Sequence, residues 1–111
     1  NDVKVTFFWG KSNLHRVWDS GMIDYWKMSY VEYSDWIMST KTSENIFSWK
    51  NTSVNDWVRE SVVYREACYE TGDPERMGYR YIYDQTELLH LRLAQAGVRL
   101  ADALNQAYAA R

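Results

Sequence analysis

The stretch that most constrains this chain lies at its end. From about Asp84 to Tyr108, Leu89, Leu93, Ala96, Leu100, Leu104 and Ala107 recur at three- and four-residue intervals without a break. That is the period of one helix face. The spacing predicts a long helix whose apolar line needs other helices against it. Gly97, in mid-segment, costs roughly 1 kcal/mol of helix propensity, so a close helix crossing is expected there. His90 stands beside the line among leucines and reads as a structural histidine, not a metal ligand.

Three further helices are predicted upstream. Ser12 or Asn13 can cap the first, which runs to about Trp26 with Val17, Trp18, Met22 and Ile23 as its packing side. The second spans 30–40, with Tyr30, Tyr33, Trp36 and Ile37 at helical spacing. Residues 41–50 read as an irregular connection pinned by Phe47 and Trp49. A third helix, 54–71, is capped by Ser53 or Asn55 and carries Val54, Trp57, Val58, Ser61, Val62, Tyr64 and Cys68 on one face. Gly72 and Pro74 close it. Glu60 beside Trp57 reads as the ion-pair partner of an arginine. Residues 75–83 form a Tyr-rich connector. At the start, Val3, Val5 and Phe7 alternate with Lys4 and Thr6, the period of a short extended arm that stops at Gly10. The fold class is all-α, a helical bundle with a short extended N-terminal arm, and 1–111 make one domain.

Composition excludes several functions. A net charge of −2 and a pI near 5.6 leave no basic footprint for groove-reading duplex binding. A metal-dependent nuclease survives that test, because bound cations meet the phosphate. No apolar run approaches the ~20 residues needed to span a bilayer. One cysteine, Cys68, cannot form an internal disulfide and reads as a buried thiol. Six Trp and nine Tyr first supply core packing, and at a surface they offer stacking platforms for bases. Asn51-Thr52-Ser53 fits a glycosylation sequon.

The chemistry-bearing stretch is Asn13-Leu14-His15-Arg16-Val17-Trp18-Asp19. His15 and Asp19 stand four apart, so a helix projects them from one face. An imidazole and a carboxylate so placed can share a zinc ion. They can equally form an exposed ion pair, or the histidine can be a hydrogen-bonded core residue. Lys11 and Arg16 flank that face and could meet phosphate or simply be solvated.

Asn1-Asp2-Val3-Lys4-Val5 followed by the Asn13–Asp19 stretch resembles the zinc-dependent single-strand-specific nucleases, the S-one/P-one family, which share a superfamily with the zinc phospholipases C. Trp57-Val58-Arg59-Glu60-Ser61 resembles that family's W-x-x-E-S segment. Ala96-Gly97-Val98-Arg99-Leu100-Ala101 with Leu104-Asn105 resembles its AG-x-RLA-x-x-LN signature. The likeness runs in order along the chain and covers only the C-terminal part of such an enzyme.

The resemblance implies a helical bundle of the zinc phospholipase C and S-one/P-one type. It implies three Zn2+ ions, one of them held in part by His15 and Asp19, with the remaining ligands in an N-terminal part of the protein. It implies that Asn1 meets the base of a bound nucleotide. The implied substrates are single-stranded DNA or RNA and 3′-nucleotides, hydrolysed to 5′-phosphate products, and the implied location is secreted or periplasmic. No catalytic residue beyond the metal ligands is implied in this chain, which alone is expected to be inactive. Two other readings stay open: a zinc phospholipase C relative acting on a lipid phosphodiester, and a metal-free helical interaction domain.

Overall fold

The computed structural model describes residues 3–109, so Asn1 lies outside them. Helices dominate, and a single two-stranded sheet opens the chain. Strands β1 (Lys4–Phe7) and β2 (Gly10–Asn13) pair antiparallel, with Lys4 opposite Asn13 and Phe7 opposite Gly10. The expected arm is therefore a hairpin. It continues past Gly10 because Phe8 and Trp9 both adopt positive φ, 48° and 73°, the turn that joins strands through two residues.

The first helix is composite: α1 (Leu14–Arg16), a π-helical segment (Val17–Gly21) and α2 (Met22–Tyr25). Asn13 caps it, its side chain accepting from the Arg16 N–H at 2.8 Å. Within the π segment the Met22 N–H reaches the Val17 carbonyl. Bonding to i+5 brings residues five apart onto one side. Val17 and Met22 are both fully buried.

Helix α3 (Tyr30–Met38) buries Tyr33 and Ile37 but leaves Tyr30 exposed. The 41–50 stretch is helical, not irregular. Thr42 and Asn45 form a reciprocal capping box that starts α4 (Ser43–Lys50), and Trp49 is buried while Phe47 points outward. Ser53, with Asp56, likewise starts α5 (Val54–Cys68). Gly72 is left-handed at φ 63°, though it sits in the connector and not at the end of α5. That connector runs beside β1, through bonds from the Thr6 N–H to the Pro74 carbonyl (2.7 Å) and from the Met77 N–H to the Thr6 carbonyl (3.0 Å).

Helix α6 (Tyr79–Ala109) begins earlier than predicted, because Tyr81 and Ile82 are core residues. Its first half packs on the hairpin and first helix, and its middle packs on α3 and α4 through Ala94. The buried line runs Leu89, His90, Ala94, Gln95, Arg99. It departs from the predicted one beyond Leu93: Ala96, Leu100 and Leu104 are exposed. The crossing expected at Gly97 is also absent, since a Cβ there would meet nothing within 4 Å.

Helix α5 buries no residue fully, and Val54, Val58 and Val62 are exposed. Polar clamps attach it instead. Gln85 donates to the Ala67 carbonyl at 2.8 Å, Tyr81 to the Cys68 carbonyl at 2.7 Å, and Arg99 grips Glu60.

Candidate metal centre

His15 and Asp19 line one cleft of about 490 Å³ between the first helix and α5. Asp19 belongs to the π segment and His15 to the α turn before it. π-segments of this kind recur where a helix must re-aim functional side chains. Both side chains are exposed. Neither has a hydrogen-bond or ion-pair partner among the described residues. The pair is thus neither a mutual salt bridge nor a satisfied core histidine, two of the three readings the spacing allows.

Opposite them, α5 and the turn after it contribute Ser61, Arg65, Cys68 and Tyr69. Arg65 has the Tyr69 ring beneath its guanidinium at 5.9 Å and no carboxylate partner among the described residues. Sequence reading missed this wall, because nothing local in α5 marks Arg65. Only the packing of two helices distant in sequence brings it to His15. Lys11 and Arg16, which sequence placed beside the metal face, do not line the cleft.

The floor is held by a relay. The Trp18 indole donates to the Tyr81 hydroxyl at 2.7 Å, which donates to the Cys68 carbonyl at 2.7 Å. Burial pushes the Tyr81 phenol up to about 12, so it stays a neutral strut. Burial also raises the Cys68 thiol. A protonated thiol is a poor ligand and nucleophile, and Cys68 instead leans on the Tyr64 carbonyl at 3.7 Å.

Chemically the donor pair suits zinc, which accepts imidazole nitrogen and carboxylate oxygen. Its count is short. Among the described residues no group of three His, Cys, Asp or Glu side chains comes together, whereas even an open catalytic zinc site normally has three protein ligands.

The other motif residues are structural. Glu60 takes both guanidinium nitrogens of Arg99 at 2.7 Å and one of Arg92 at 2.9 Å. The hydrogen bond from Arg99 leads in holding its carboxyl below the usual range. His90 meets the Tyr33 hydroxyl at 3.1 Å between the Tyr33 and Trp36 rings. Burial depresses its pKa, with Lys41 adding to the effect. A further hollow of about 520 Å³ between α3 and α6 is lined chiefly by apolar side chains, with Tyr30 and Tyr33 its ionisable wall residues.

No helix is long and apolar enough to cross a membrane among the described residues. Over its whole length the chain is 29% identical to Endonuclease 5 and 28% identical to Endonuclease 3, both of Arabidopsis thaliana, and each alignment covers 43% of the relative. It therefore spans less than half the length of the curated relatives it matches. No solved structure matches it. The S1/P1 Nuclease family pattern matches residues 1–109, and with the capped Asn13 helix, the exposed His15–Asp19 pair and the Glu60–Arg99 clamp all falling inside that span, the chain belongs to the S1/P1 nuclease family.

Proposed function

We propose that this chain is part of a zinc-dependent nuclease and 3′-nucleotidase that hydrolyses phosphodiester bonds of single-stranded DNA and RNA to 5′-phosphate products. The observation that carries the reading is the unpartnered His15–Asp19 pair on the wall of a cleft. Both are exposed on that wall, and an imidazole nitrogen and a carboxylate oxygen are electron-pair donors that zinc accepts. His15 and Asp19 would hold one Zn2+ of a trinuclear site, the remaining ligands coming from an N-terminal part of the protein. Bound zinc supplies Lewis acidity toward the phosphate and the attacking water.

The residues of this chain orient and exclude. Asn13 fixes the first turn that carries His15. The Trp18–Tyr81–Cys68 relay sets the cleft floor. Asn1 is assigned to the base edge, which an amide suits because it both donates and accepts. Single strands are preferred in this reading because an unstacked base can lie on an aromatic surface and a stacked one cannot. These 111 residues alone would be inactive, with two ligands of one site. A secreted or periplasmic location goes with the same reading.

Zinc analysis of the full-length protein is the test. His15→Ala and Asp19→Asn should each remove about one zinc per molecule and most cleavage of single-stranded DNA, while His90→Ala should leave the zinc count intact. Equal loss from His15→Ala and His90→Ala would mean the wrong histidine was chosen. Zinc absent from the wild-type protein would favour a metal-free interaction domain, undiminished zinc in all three variants would mean that its ligands lie elsewhere, and turnover of phosphatidylcholine in place of DNA would favour a lipid phosphodiesterase.

A further inference from the structure

We propose that Arg65 is a substrate-binding residue that grips the phosphate next to the scissile one, so that it acts on polymeric strands and not on mononucleotides. The inference rests on the nuclease reading above and deepens it. Its first support is an imbalance of partners. Arg59, Arg76, Arg80, Arg92 and Arg99 each have a carboxylate within ion-pair distance. Arg65 has none among the described residues, and only the Tyr69 ring braces it. Arg16 also has no carboxylate partner among the described residues, but it lies outside the cleft wall.

The second support is position. A further hollow of about 330 Å³ adjoins the metal cleft and shares Trp18, Ser61, Arg65 and Cys68 with it. His15 and Asp19 line only the first hollow, and Leu88, Leu89 and Arg92 only the second. Arg65 therefore stands at the junction, one step along the cleft from the metal pair. Arg92 at the far end is already committed to Glu60. A strand laid from one hollow to the next would bring its neighbouring phosphate to Arg65, the one cation on both walls without a carboxylate partner among the described residues.

Chemistry fits that place. A guanidinium presents a planar fork that matches two phosphate oxygens at once. A chain of net charge −2 has no diffuse basic surface to attract a polyanion, so a local cation has to serve. An aromatic ring under the guanidinium limits its freedom and lowers the entropy lost on binding.

The test is made on the full-length protein, comparing wild type, Arg65→Ala and Arg65→Lys. Substrates are a twelve-residue oligothymidylate and adenosine 3′-monophosphate, over a range of salt. For Arg65→Ala the oligonucleotide KM should rise about tenfold, the size of one charge-assisted hydrogen bond, with kcat within about twofold. The slope of log KM against log salt should shrink by about 0.7, the value for one phosphate contact on a single strand. Kinetics on the 3′-nucleotide and the zinc count should be unchanged, and Arg65→Lys should restore the salt slope. An unchanged oligonucleotide KM and slope, or equal losses on both substrates, would overturn the assignment. A wild type that cleaves neither substrate would instead overturn the nuclease reading beneath it.

Discussion

Glu60 and Arg99 meet as two matched forks: Nη1 to Oε1 and Nη2 to Oε2, each at 2.7 Å, across 39 residues of sequence. The guanidinium is 6% exposed and also donates to the Trp49 carbonyl at 3.2 Å and lies over the Trp57 ring at 5.3 Å. One side chain thereby ties α4, α5 and α6 together. Truncating its anion leaves a buried charge without a partner, which costs about 3 kcal/mol or more. Glu60→Ala should therefore lose about that much in urea denaturation. Arg92→Ala, which removes the more exposed second cation, should lose about 1 kcal/mol or less. Equal losses would show that Arg99 is not the anchor.

Glu60 and His90 both shape the acid limb, to which the cap carboxyls Glu32 and Asp56, lowered by hydrogen bonds from Ser29 and Ser53, add. The Glu60 carboxyl is held below its ordinary 4.5, chiefly by the Arg99 hydrogen bond. A depressed carboxyl stabilises above its unfolded value and loses that contribution as pH falls through the folded one. His90, depressed from 6.5 first by burial, follows the same direction: its contribution is complete above 6.5 and lost as pH drops below it. Urea midpoints measured from pH 8 to 3 should fall in two stages, the first below about 6.5 and the second below about 4.5. Glu60→Gln should flatten the second stage only.

Helices with a self-contained signal were legible in the sequence. Asn13 and Ser53 stand at the caps that the sequence offers for the first helix and α5, while the Ser29–Glu32 box that starts α3 was not read. Helix α4 was missed because its reciprocal box, Thr42 with Asn45, has the shorter Asn where a Glu or Gln is usual. The π segment left no local mark. It rests on a backbone bond, from the Met22 N–H to the Val17 carbonyl, that exists only in the folded chain. The rotation of the buried face on α6 was also illegible. Arg99 is buried because Glu60 and the Trp49 carbonyl accept from its guanidinium, Gln95 because its amide oxygen accepts from Arg92, and Leu100 is left outside. Half of the cleft was readable, the His15–Asp19 half. The Arg65 half depends on a tertiary approach that no spacing encodes.

Tyr81 ties the cleft floor together, and its loss should be measurable at both ends of the relay. Tyr81→Phe keeps the ring but leaves the Trp18 indole N–H and the Cys68 carbonyl without their partner. Two broken hydrogen bonds in a half-buried place cost about 2 kcal/mol. Since burial raises the phenol to about 12, the wild type should lose stability as pH climbs from 10 toward 12, the neutral form being the folded one's preference. Chemical unfolding between pH 9 and 11.5 should show that decline in the wild type and a weaker one in Tyr81→Phe. Parallel declines would assign the alkaline limb to other groups.

The hairpin turn stores strain that a single substitution should release. Phe8 and Trp9 both occupy left-handed backbone, where an L side chain costs roughly 1–2 kcal/mol per residue and where Asn-Gly is the usual solution. The two are not equivalent. Phe8 stacks on Tyr25 with ring centroids 5.6 Å apart and meets Phe7 and Tyr79 edge-on, so its packing offsets the backbone cost. Trp9 is 95% exposed and receives no such return. Trp9→Gly should therefore stabilise the protein by about 0.5–1 kcal/mol, once the extra freedom of glycine in the unfolded chain is subtracted. Trp9→Ala, which keeps the left-handed penalty, should change stability little, and Phe8→Gly should destabilise by about 2 kcal/mol through lost ring contacts. Thermal and urea unfolding of the three variants separates these outcomes. A destabilised Trp9→Gly would mean that the indole, despite its exposure, contributes more to the folded state than its backbone costs.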